Sequence, residues 1–183
     1  SLYSINTKSM KILLFVNINK SSSLNDSKLF YGSPIIIKNS SMIVSSNQNT
    51  YVIDIKSGVI KYNFKFSPVI TPIINNNYVF MVTKNNLLIS FDINSGKILF
   101  SFNVNKIVAD YLKVKKRDLS FKYFVLLNNN IYIFLQNSYL LKFKINGEVS
   151  KIYKLPAKIN SSPIFIDNSI LFLDLKNKPI IIN

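Results

Sequence analysis

From Pro34 onward the chain is a succession of short apolar runs cut by polar breaks. Runs this short, bounded by Asn, Ser, Lys and Gly, are the pattern of strands joined by tight turns, whereas a helix wants about ten or more residues with apolar positions every three or four. Ile35-Ile36-Ile37 is broken by Lys38-Asn39-Ser40. Tyr78-Val79-Phe80-Met81-Val82 follows Asn75-Asn76-Asn77, and Ile131-Tyr132-Ile133-Phe134-Leu135 follows Asn128-Asn129-Asn130.

The breaks recur on a period. Pro34 to Asp54 is 20 positions, and so are Pro72 to Asp92, Phe124 to Lys144 and Pro163 to Asn183. Just after the aspartate position comes a Ser-Gly or Asn-Gly turn holding Gly58, Gly96 and Gly147, three of the four glycines, where a hairpin wants positive φ. A fourth run then follows, as in Val59 to Phe64 or Lys97 to Phe102. Each unit predicts a four-stranded antiparallel meander. Units starting at Pro34, Pro72, Phe124 and Pro163, spaced by 38, 52 and 39 residues, predict an all-β chain, a β-propeller of four-stranded antiparallel blades.

The same template divides the chain. Residues 1–16 read as a half blade made of third and fourth strands, 33–64, 71–102 and 121–153 as full blades, and 162–183 as an incomplete blade ending at its third strand. Residues 103–120 are a basic insertion that accounts for the long spacing. The sum is a single propeller portion, an incomplete ring of about four blades, and an open arc leaves strand edges that propellers close. The expectation is therefore the C-terminal part of a larger propeller, its missing last strand supplied by residues outside this sequence.

Composition narrows the chemistry. There is no Cys and no His, so thiol nucleophiles, imidazole bases and the commonest metal ligands are lacking. Eight carboxylates remain: Asp26, Asp54, Asp92, Asp110, Asp118, Glu148, Asp167 and Asp174. No catalytic, cofactor-binding or metal-binding residue is assigned, and the expectation is a protein that is not an enzyme and needs no cofactor. The formal net charge is +15, but Arg117 is the single arginine among 23 basic residues. A chain nearly without the bidentate guanidinium is poorly equipped to read bases, so no specific nucleic-acid partner is expected. The apolar runs are far shorter than the ~20 residues a membrane-spanning helix requires.

The segment Leu88-Ile89-Ser90-Phe91-Asp92-Ile93-Asn94-Ser95-Gly96-Lys97-Ile98-Leu99-Phe100 resembles the PQQ-like repeat, whose pattern is apolar-Tyr-Ala-Leu-Asp-x-x-Thr-Gly-Lys-Val-Leu-Trp. Thr50 to Tyr62 and Leu2 to Leu14 are similar to it, and Leu140 to Lys151 is a copy one residue shorter. The family's tryptophan place holds Leu14, Tyr62, Phe100 and Lys151. Within the PQQ-like proteins the chain most resembles the BamB-like lipoproteins of the outer-membrane β-barrel assembly machinery. Those chains end just after a third strand, and alphaproteobacterial members carry a basic insertion where residues 105–118 stand here. The resemblance implies a non-enzymatic scaffold at the periplasmic face of the outer membrane, joined to the membrane only through a lipid anchor outside this chain. Its implied partner is a BamA-like outer-membrane assembly protein. Two alternatives stand beside it: a fragment of a PQQ-dependent dehydrogenase-type propeller, and a basic polyanion-binding module.

Two connections are longer than the repeat requires, 17–31 and 103–120, and propellers bind through such rim connections. The candidate partner-binding residues are Asp26, Leu29, Phe30 and Tyr31 in the first and Lys113, Lys115, Lys116 and Arg117 in the second. The place of the first loop is similar to that of the loop through which BamB-like proteins meet BamA. Asp54, Gly58, Asp92, Gly96 and Gly147 are read as structural repeat positions, the carboxylates accepting hydrogen bonds from the turn that follows. Tyr62 and Phe100 are expected to pack between neighbouring blades.

Overall fold

The structure is a computed structural model that describes residues 2–18, 34–46, 48–115, 118–167 and 169–182. Its first sheet has two strands, β1 (Leu2–Ile5) and β2 (Ile12–Val16). Three four-stranded sheets follow, each paired in chain order. The first holds β3 (Ile36–Lys38), β4 (Ser41–Ser45), β5 (Thr50–Asp54) and β6 (Ile60–Phe64). The second holds β7 (Ile73–Asn75), β8 (Tyr78–Val82), β9 (Leu87–Asp92) and β10 (Ile98–Asn103). The third holds β11 (Phe121–Leu127), β12 (Asn130–Leu135), β13 (Tyr139–Lys144) and β14 (Val149–Lys154). A three-stranded sheet ends the described chain: β15 (Ile164–Ile166), β16 (Ser169–Leu173) and β17 (Pro179–Ile182). All pairings within these sheets are antiparallel.

The two middle strands of the first two four-stranded sheets are buried almost throughout, which explains why their sequences are largely apolar instead of alternating. Every residue of β4 is buried, and so are Val79, Phe80, Met81 and Val82 of β8. The fourth strands lie outermost and are mostly exposed, so Ile60 to Phe64 mixes Lys and Asn with its apolar residues. Packing between sheets supplies the core. Ile43 and Val52 of the first four-stranded sheet meet Val79, Met81, Ile89 and Phe91 of the second. Phe80, Val82 and Leu88 of the second meet Ile131, Ile133, Leu141 and Phe143 of the third. Leu2 and Val16 pack on Met42, Val44 and Ile53, and Phe134 and Leu140 pack with Phe172. Each fully buried side chain of this size contributes about 1.5–3 kcal/mol, so the seams between sheets carry most of the stability.

The insertion holds the one helix among the described residues, α1 (Val104–Leu112). Antiparallel order fixes two rims: first-to-second and third-to-fourth turns open on one, second-to-third turns and sheet-to-sheet connections on the other. α1 lies on the second rim, between β10 and β11.

Candidate interaction surface

The insertion is a docked helix instead of an open loop. Asn103 caps it, its Oδ1 accepting the Lys106 N–H at 2.9 Å. Lys113 closes it in the left-handed region at φ 54, and the Val114 N–H donates to the Ala109 carbonyl at 3.0 Å. Val104, Val108 and Ala109 are buried. Val104 and Val108 join the core between the second and third four-stranded sheets, with Phe121, Leu135 and Ile152, while Ile107 and Leu112 pack against that core from the side. The opposite face is free, with Lys106, Asp110 and Lys113 exposed; Tyr111, at the edge of the docked face, is 46% exposed, and Val114, at 51%, and exposed Lys115 follow the helix. A ledge of mixed aromatic and cationic character results, seated by Val104 and Val108.

Of the candidate partner residues, Lys113 and Lys115 stand on this ledge. Asp26, Leu29, Phe30, Tyr31, Lys116 and Arg117 lie outside the described residues. Tyr111, Lys106 and Val114 join the surface although charge alone did not single them out. For the lysines the signal is the spacing of Val104, Ile107, Val108 and Leu112, which marks one face of a short helix and leaves Lys106 and Lys113 opposite. Tyr111, three residues after Val108 and four after Ile107, falls on the apolar side, and the spacing does not foretell its 46% exposure.

The other rim is built of turns. Asp54 Oδ1 accepts the N–H groups of Lys56 and Ser57 at 3.1 and 3.0 Å and the Ser57 hydroxyl at 3.0 Å. Asp92 Oδ1 does the same for Asn94 and Ser95, at 2.9 and 2.7 Å, with the Ser95 hydroxyl at 3.0 Å. The Ser57 backbone N–H is the main reason the Asp54 carboxyl is held far below the usual carboxylate range, helped by Lys61, whose Nζ is 3.0 Å from Oδ2. The Ser95 N–H lowers Asp92 in the same way. Such carboxylates are committed to their own turns. Among the described residues no three Asp or Glu come together to hold a metal ion.

Glycine completes each turn and touches the preceding sheet. A Cβ on Gly96 would overlap the Tyr62 ring, and the Tyr62 hydroxyl donates to the Asn94 carbonyl. A Cβ on Gly147 would stand 2.5–2.8 Å from the rings of Phe102 and Phe100. Gly58 sits over Leu14 and Val16 in the same manner. Beside Gly147 the seam is imperfect. Val52 faces Tyr62 across β5 and β6, but Ser90 faces Phe100 across β9 and β10. A cleft of about 310 Å³ opens there, lined by Tyr78, Phe80, Ser90, Leu99, Phe100, Ile145 and Asn146.

Known structures share this arrangement. BamB from Moraxella catarrhalis superposes with a TM-score of 0.61 at 11% identity, over 81% of this chain and 43% of that one. The β-propeller domain of Myceliophteria thermophila Cps50 (Swd1) gives 0.61 and 11%, over 82% and 52%. The computationally designed Ika4 protein gives 0.59 and 11%, over 82% and 89%. The fold is a β-propeller. At 11% identity the likeness is one of fold, and three propellers of different description fit about equally well. The chain spans less than half of the length of the BamB structure. No protein-family model matches the sequence, and no curated protein matches it.

Proposed function

We propose that this chain is part of a non-enzymatic interaction scaffold of the BamB-like kind, serving outer-membrane β-barrel assembly at the periplasmic face of the outer membrane. It carries PQQ-like repeats, and it binds a BamA-like partner through the rim that bears α1. The observation that carries the reading is the docked helix itself. A binding surface needs groups held in place before the partner arrives, because ordering them on contact subtracts from affinity. α1 meets that need, with Val104 and Val108 buried in the seam and Tyr111, Lys113, Val114 and Lys115 facing outward. An exposed aromatic anchor beside lysines suits an acidic, partly apolar surface, the charges steering approach and the ring supplying contact area. The repeat resemblance and the superposition on BamB agree with this reading.

The test is binding to the periplasmic domains of the cognate BamA-like protein. Tyr111→Ala and the double reversal Lys113→Glu with Lys115→Glu should each weaken binding of the intact propeller by about tenfold or more, as anchor and steering contacts do. The reversal should also flatten the dependence on salt. Variants that fold and bind like the parent would remove α1 from the interface.

A further inference from the structure

Asn146-Gly147 is the single Asn-Gly bond in the sequence, and it lies in the turn between β13 and β14. That turn is one residue tighter than its counterparts. The Gly147 N–H donates to the Lys144 carbonyl three residues back, whereas Gly58 and Gly96 donate to carbonyls four residues back, those of Asp54 and Asp92. Three features converge on the Asn146 side chain. It is exposed to water. Its Oδ1 accepts the Glu148 N–H at 3.1 Å, which draws electron density from the carboxamide carbon. The next residue has no side chain of its own over its backbone nitrogen, although Gly147 is itself buried beneath the rings of Phe100 and Phe102.

We propose that this bond is a site of spontaneous covalent modification that ages the seam between the second and third four-stranded sheets. The Gly147 nitrogen gives up its proton to hydroxide and attacks Cγ of Asn146. A new N–C bond closes a succinimide ring while the carboxamide C–N bond breaks, its nitrogen leaving with a proton from water as ammonia. Water then adds to either ring carbonyl and opens the ring to aspartate or isoaspartate. One water is consumed and one ammonia released, with no oxidant or reductant.

The geometry sets both rate and consequence. Gly147 N–H is bonded to the Lys144 carbonyl at 2.9 Å and must leave it before it reacts, so the rate reports opening of this turn. The Lys144–Glu148 ion pair at 3.0 Å and the packing of Gly147 on Phe100 and Phe102 oppose that opening. Isoaspartate lengthens the main chain by one atom in a turn whose Gly147 sits at φ 87 against those two rings. It also places a second carboxylate beside Glu148, where Lys144 is the paired cation. The clasp over the rings then loosens, and the adjoining cleft, which Asn146 helps to line, widens.

The protein is incubated in mildly alkaline buffer, and ammonia release and peptide mapping are followed with time. Conversion at Asn146 should run ahead of that at Asn94 and Asn160, which precede serines, should rise with pH, and should vanish in Asn146→Gln. The aged protein should melt below both the fresh protein and Asn146→Asp, which carries the charge without the lengthened backbone. Conversion at Asn94 or Asn160 ahead of Asn146, or aged protein melting with Asn146→Asp, would overturn the proposal.

Discussion

Glycine at positions 58, 96 and 147 meets two demands at once. Each has positive φ, between 69° and 87°, and each lies where a Cβ would strike a side chain of the preceding sheet. Gly96→Ala should therefore cost roughly 2–4 kcal/mol, combining strain at positive φ with overpacking against Tyr62. Urea denaturation measures it, and adding Tyr62→Ala should recover part of the loss, since the two sites are coupled. The carboxylates that fasten these turns predict a pH response. Asp54 and Asp92 have folded-state pKa values below their unfolded ones, so their stabilisation is complete above the unfolded pKa and is lost as pH falls through the folded values. Melting temperature should hold down to about pH 4 and fall below it, less steeply in Asp54→Asn with Asp92→Asn.

At the scale of elements, the strand rhythm was legible because burial keeps β8 and most of β9 apolar, Ser90 and Asp92 excepted, while Asn and Gly turns punctuate them. Helix α1 was harder to read. It has nine residues, starts from Asn103 at the end of a strand and contains Val104, Ile107 and Val108, β-branched residues common in strands. Its helical form follows from a seam that takes Val104 and Val108 on one side, information that residues far along the chain provide. Of the candidate surface, then, the sequence carried the position and charge of the insertion. The helical ledge and the exposure of Tyr111 depend on packing with Phe121 and Ile152. Val108→Asp should unseat α1 at a cost of more than about 3 kcal/mol, because a carboxylate would be buried without a partner. Hydrogen exchange should show the loss confined at first to residues 104–112 and the ends of β10 and β14.

At the scale of the molecule, the sheets form a continuous series of seams, each made from the face of one sheet and the face of the next. The repeat made this legible: equal spacings from proline to aspartate imply equal blades, and structures of propellers superpose over about four-fifths of the chain. The two rims differ in kind. One is made of turns whose carboxylates are engaged with their own backbone, and the other presents α1. The binding role we propose lies on the second rim, and that proposal is open to a positional test. A photo-crosslinking residue is placed at position 111, replacing Tyr111 on the helix, and separately at position 78, replacing the half-exposed Tyr78 beside a turn on the opposite rim. With the proposed BamA-like partner present, a crosslink from position 111 and none from position 78 is the predicted result. A crosslink from position 78 alone, or from neither, would contradict the account.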